Sequence, residues 1–419
     1  MADIDNSQRI YFRNLDVLRF SAAYAIVLLH CFMGWKAFFG NPDFINSSLS
    51  APALNRLEVI VKNLTFGVDI FFIISGFLIT YLLLSEHQRT GKVDVLKFYI
   101  RRAFRIWPLY FLLIVTAPLL TFFFFEPSPD YLYQFLFAGN FDVIVQGTKS
   151  VATDHLWSIC IEEHFYLFCP LLIAFIPVRK LPQVLFAIIF ACILFRAYTS
   201  LKSENYGTIL YMHTLSRIDV LAIGSLFGYL YFYKKIKFNH TIGVRFIVYA
   251  IFALLFLFVD YNECGTFFTA TVKKYFFVIL SAYWAGNFLF NPKALFSFTK
   301  PNFLHRFGKV SYGIYMFNPV IIFLVLKLFQ ANGFQNYFLF LLLVNLSLVA
   351  ITALSYRFIE LPFLAMKEKY AVVKSGNFME DISGSAEADD ETEFTEQHVV
   401  PLNSTGNNWI VRTFRKIAK

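Results

Sequence analysis

Long uncharged apolar runs recur through this chain of 419 residues, at 70–85, 109–125, 275–292, 310–326 and 328–356. No other feature narrows the fold as far. A helix needs about 20 largely apolar residues to cross a bilayer. The apolar positions do not alternate with a period of two, which sets aside a β-barrel. Charged residues make up 16% of the chain against 58% hydrophobic, too little polar surface for a soluble protein of this length. The expected fold is all-α, a polytopic transmembrane helical bundle of about ten spans. They fall near 15–34, 64–85, 104–125, 154–176, 183–199, 209–233, 246–260, 274–290, 309–329 and 337–357.

The basic residues orient this bundle. With the N-terminus inside, fifteen Lys and Arg fall on cytoplasmic segments, among them Arg89, Lys97, Arg102, Arg179, Lys234 and Arg306, and six fall outside. That excess satisfies the positive-inside rule, and an even span count returns the C-terminus to the cytoplasm. The net charge of +9 therefore reflects topology and does not argue for nucleic acid. Residues 1–13 are polar and read as a cytoplasmic N-terminus without a cleaved leader. Residues 14–364 form the transmembrane domain. The tail, 365–419, carries an acidic run from Glu380 to Glu396 and is expected to be disordered. It closes on Trp409, Ile410, Phe414 and Ile417 interleaved with Arg412, Arg415 and Lys416, a basic amphipathic segment suited to anionic membrane lipid. The five cysteines show no metal-ligand spacing and read as packing residues, so no metal is expected.

Polar groups inside such spans are costly and usually carry function. The first span holds Arg19 and His30, eleven residues apart and so on one helical stripe, with Asp16 placed at i and i+3 to pair with Arg19. The second opens with Asp69, on the side of the membrane where His30 lies and placed where a helix cap would stand, and continues to Ser75-Gly76, which permits close helix approach. Arg102 and Arg105 share a face just before the third span, and arginine forks suit phosphate oxygens. The fourth span begins Trp157-Ser158-Ile159-Cys160-Ile161-Glu162-Glu163-His164-Phe165-Tyr166, with two adjacent carboxylates at its mouth. Arg217 and Asp219 open the sixth span two residues apart, so each needs a partner on another helix. In the ninth, Tyr315 precedes Asn318-Pro319, where proline should kink the helix and free a carbonyl.

In this order the segments resemble the acyltransferase-3 family of integral-membrane O-acyltransferases. The resemblance rests on Leu15-Asp16-Val17-Leu18-Arg19-Phe20 with His30, on Gly67-Val68-Asp69-Ile70-Phe71-Phe72 through Ser75-Gly76-Phe77, and on Arg101-Arg102-Ala103-Phe104-Arg105. It continues in Trp157-Ser158 with Glu162-Glu163 and Phe165-Tyr166, in 308–315, and in Tyr356-Arg357-Phe358-Ile359-Glu360-Leu361-Pro362. His164 departs from a common glutamine and Asn318 from a frequent histidine. The resemblance implies transfer of an acyl group, often acetyl, from acetyl-CoA or another acyl-CoA to a hydroxyl of a cell-envelope carbohydrate or glycolipid, in a bacterial cytoplasmic membrane. Arg19, Arg102 and Arg105 would hold the donor. His30 would act as general base or transient acyl carrier, with Glu162 or Glu163 as its partner. Asp16, Asp69, Ser75, Trp157, Ser158, Arg217, Asp219 and Tyr315 would support the site or face the acceptor. The rival reading is a proton-coupled transporter relaying through Arg19, His30 and Asp69.

Overall fold

The computed structural model describes residues 10, 12, 14–42, 45, 50–124, 127–202, 206–238, 240–291, 293, 294, 298 and 302–373. The acidic run and the basic amphipathic segment of the tail lie outside the described residues. The described residues contain helices and no β-strand. Ten long helices fall in the ten expected places: α1 (Leu15–Phe39), α2 (Gly67–Thr90), α3 (Val95–Phe124), α4 (Trp157–Phe175), α5 (Leu181–Lys202), α6 (Thr214–Phe232), α7 (Ile242–Phe258), α8 (Lys274–Phe290), α9 (Ser311–Asn332) and α10 (Tyr337–Ser355). Among the described residues eight candidate spans are long and apolar enough to cross a membrane, whereas α7 and α8 have 17 residues each. The expected domain boundary at 364 falls inside a further helix, Leu361–Glu368, and Arg101 donates to the Tyr370 carbonyl at 2.9 Å beyond it.

α2 and α6 form the most intimate pair in the bundle. A Cβ added at Gly76 would overlap the Leu221 carbonyl, and one at Gly224 or Gly228 would overlap the carbonyl of Ile73 or Phe77. Small residues let two backbones approach this closely, which is how helices gain packing where no hydrophobic effect drives them together. Gly224→Leu should therefore lower the melting temperature in detergent, by an overpacking cost of about 1–3 kcal/mol or more. Gly243→Ala, which meets nothing within 4 Å, should leave it unchanged or higher. A Gly224→Leu protein as stable as the parent would remove the close-packing argument.

Three other features set up the site. Gly308, just before α9, sits against the Asp16 backbone and ties the start of α9 to the start of α1. Glu86 closes the α2–α3 connection: it accepts the Asp94 N–H at 2.7 Å and pairs with Arg101 at 3.1 Å. Asp94 in turn accepts the Lys97 N–H at 3.0 Å, which holds its carboxyl below the usual carboxylate range. α3 thus starts at a fixed angle, with Arg102 and Arg105 one turn apart near its start.

Candidate active site

α1, α2, α3, α4 and α9 line a partly open pocket. Its walls change character from end to end. Arg19, Arg102 and Arg105 line one end, while Phe71, Phe72 and Ile159 supply apolar wall and Ser158 and Tyr315 line it beside them. A second, smaller space lies against the arginine end and shares Leu78, Arg102 and Arg105 with the first. Arg101 and Lys367 line that second space as well, each beside a carboxylate, Glu86 at 3.1 Å and Glu368 at 3.8 Å, so Arg102 and Arg105 supply its unpaired positive charge.

Of the three guanidinium groups, one has a carboxylate partner within 4 Å among the described residues. Arg19 meets Asp16 at 3.5 Å, as the i, i+3 spacing anticipates. Arg102 lies over the rings of Phe98 and Tyr166, with its guanidinium carbon 5.4 Å from each centroid. Among the described residues neither Arg102 nor Arg105 has an ion-pair partner within 4 Å. Among the described residues Glu162 is the one carboxylate on the cavity wall. It accepts a hydrogen bond from Tyr166, one turn further along α4, whose hydroxyl also lies 3.1 Å from Ser75 on α2. A surplus of positive charge in a space of low dielectric is a site for an anion.

This placement corrects the expected pairing of His30 with Glu162 or Glu163. Glu162 belongs to the arginine end. Glu163 turns to the other side of α4, where Trp107 donates to it at 3.4 Å. Adjacent residues on a helix point about 100° apart, so both could not have faced one histidine. The carboxylates also lie seven and eight residues past His155, the level at which this segment approaches His30, which is roughly 10 Å of helix rise. The partner of His30 is Asn318 on α9, with Oδ1 2.6 Å from Nδ1.

His30 does not line the cavity itself; it stands beyond Tyr315. The Tyr315 hydroxyl donates to the His155 carbonyl at 3.0 Å and lies 2.6 Å from Ser158 Oγ. His155 Nε2 lies 3.0 Å from the Met316 carbonyl, and the His155 ring is close enough to His30 for the two to interact electrostatically. Tyr315, Ser158 and His155 therefore form the partition between the cavity and His30. Tyr312, on the turn before, donates to the Ile106 carbonyl at 2.8 Å and holds α9 against α3.

Other expected supporting residues form a separate cluster. Asp69 pairs with Arg217 at 3.0 Å and accepts a hydrogen bond from Tyr261. The Arg217 guanidinium also lies 5.3–5.7 Å from the rings of Phe72, Trp157 and Tyr211. Asp219 meets Lys274 at 3.3 Å and Arg196 at 3.6 Å, and accepts from Tyr275 at 2.6 Å. Arg217 and Asp219 thus find partners on other helices, as their spacing requires, and Trp157 serves as a wall for Arg217. Asp69 is no simple cap.

Sequence reasoning passed over Asn318, Tyr166 and His155 as site residues. Tyr166 was legible as the i+4 neighbour of Glu162. Asn318 carried a signal in the Asn-Pro step, and His155 in its place two residues before Trp157. Among the described residues no group of three or more His, Cys, Asp or Glu could hold a metal ion.

Comparison with known proteins gives the same direction. The acyltransferase-domain family matches residues 12–357. O-acetyltransferase OatA of Staphylococcus aureus (strain NCTC 8325 / PS 47) is 29% identical over 326 residues, covering 71% of this chain and 52% of the relative. OatA of strain COL matches to the same extent. The chain spans about half the length of these curated relatives. No solved structure matches it. The segments that build the arginine-ended cavity and the His30 site all lie within residues 12–357, and the chain belongs to the acyltransferase-3 family.

Proposed function

We propose that the protein is a membrane O-acyltransferase. It takes an acyl group, acetyl by likeness to its relatives, from cytosolic acyl-CoA and delivers it to a hydroxyl of a cell-envelope carbohydrate or glycolipid. One observation carries the reading: a cavity with three arginines at one end reaches, at Tyr315, the partition behind which His30 stands. The excess of basic residues at the arginine end supports placing that end, and the N-terminus, in the cytoplasm of a bacterial cell. Residues 14–364 then form the catalytic membrane domain, extended by the helix through Glu368.

The chemistry follows from this layout. Arg102 and Arg105, with Lys367 and Arg101 behind them, hold the phosphates of the donor. The thioester arm reaches along Phe71 and Phe72 towards Ser158 and Tyr315. For transfer the thioester end passes Tyr315, and on the far side His30 removes the proton of the acceptor hydroxyl as that oxygen bonds to the thioester carbon. The carbon–sulfur bond breaks, and the departing thiolate takes the proton back and leaves as a thiol. Glu162, hydrogen-bonded by Tyr166, keeps its place among the arginines and helps to order them.

Turnover of acyl-CoA by the purified protein in detergent, followed by mass spectrometry of donor and acceptor, tests the reading. Arg102→Ala with Arg105→Ala should raise the KM for acyl-CoA on the order of tenfold or more, since each charge-assisted hydrogen bond to a phosphate is worth about 1.5–3 kcal/mol. Rising salt should weaken binding in the parent more than in the variant. Unchanged donor affinity would remove the arginine assignment.

A further inference from the structure

We infer that Asn318 is a positioning residue that fixes the tautomer of His30, and that Pro319 makes this possible; the catalytic consequence rests on the reading of His30 as the base. Pro319 lies inside α9 and has no N–H. The carbonyl it would have served, four residues back, belongs to Tyr315. That carbonyl accepts instead from the Asn318 side chain, Nδ2 at 2.7 Å, and the same nitrogen lies 3.1 Å from the Ile314 carbonyl. Carbonyl oxygens only accept, so the nitrogen of the Asn318 amide must face them and its oxygen must face the other way. It faces His30 Nδ1 at 2.6 Å. An oxygen held so can only accept, so Nδ1 carries the hydrogen and Nε2 keeps a bare lone pair.

This arrangement fills the role of a carboxylate beside a catalytic histidine, with no charge. Asn318 is fully buried. A carboxylate there would need its own neutralisation away from water, whereas an amide satisfied on both faces costs little. The amide is anchored by a backbone carbonyl that Pro319 leaves without an N–H partner, so the orientation of His30 is set by the backbone of α9. Tyr315 joins the two sides: its carbonyl holds Asn318, and its side chain lines the donor cavity.

The test uses the full-length protein in detergent with ¹⁵N-labelled histidine rings, and His30→Gln identifies the His30 signals by their loss. Two-bond ring correlations distinguish an Nδ1–H from an Nε2–H imidazole. The parent protein is expected to show Nδ1–H at His30. Asn318→Leu should shift His30 to a mixture or to Nε2–H. Its kcat should fall on the order of 10²-fold with little change in the KM for acyl-CoA. Asn318→Asp keeps an acceptor oxygen and should keep Nδ1–H. An Nε2–H ring in the parent would overturn the inference, as would an Asn318→Leu protein with unaltered tautomer and turnover. If Asn318→Leu does not fold, the parent and Asn318→Asp spectra still decide it. Wild-type turnover in His30→Gln, with the expected tautomer in the parent, would instead overturn the role of His30 as base and leave the tautomer standing.

Discussion

Replacing His30 with Ala should lower acyl transfer from acyl-CoA by on the order of 10²–10⁴-fold, the usual contribution of a general base. The protein should remain folded. His30 is only partly buried and its side chain bonds to Asn318, so its removal opens little core. Donor binding should survive, because Arg19, Arg102 and Arg105 line the cavity and His30 does not. The measurement is therefore a split: KM for acyl-CoA near that of the parent, kcat collapsed, and a melting temperature lowered only by the loss of the partner of the buried Asn318 oxygen, about 1–3 kcal/mol. A folded His30→Ala protein that still acylates its acceptor at the parental rate would remove His30 from the chemistry. The same split separates His30 from Arg102 and Arg105, whose loss should act mainly on KM.

The ten helices were legible because hydropathy reports the solvent a segment must face, and in a bilayer that signal is strong. Pairs within one helix were legible for a related reason. The Asp16–Arg19 pair follows from a spacing of three, and the need of Arg217 and Asp219 for separate partners follows from a spacing of two. Partners on different helices were not legible. Nothing in the order of residues says that Asn318 rather than Glu162 reaches His30, because that depends on how α1 and α9 cross. The sequence does record that Asn318 precedes a proline, and the physical use of that step appears only when the freed Tyr315 carbonyl is seen beside the amide. The arginine end was partly legible: Arg102 and Arg105 were chosen together, and Arg19 joins them in one cavity. The transporter reading loses its relay here, since Asp69 is engaged by Arg217 and Tyr261 while His30 is engaged by Asn318.

Removing Asp69 should be the most destabilising of these changes, by about 3–5 kcal/mol, the usual result of leaving a buried charge without its partner. Asp69 is 0% exposed and Arg217 2%. Around them stand two carboxylates, Asp69 and Asp219, and three cations, Arg196, Arg217 and Lys274. Asp69→Leu would leave one carboxylate against three basic groups, all of them buried. Arg217 cannot move out to solvent, because the rings of Phe72, Trp157 and Tyr211 surround it. The cost should therefore belong to the stranded guanidinium rather than to the lost pair itself. That distinction can be measured. Asp69→Leu combined with Arg217→Met removes both charges and should recover most of the melting temperature lost by Asp69→Leu alone. Because Phe72 is shared between this cluster and the donor cavity, the folded double variant should keep its acyl-transfer activity within a few fold, provided that ring holds its place. A double variant as unstable as the single one would show that the pair, and not the uncompensated charge, holds α2 to α6. A double variant that regains stability but transfers no acyl group would move Asp69 or Arg217 from the scaffold into the reaction.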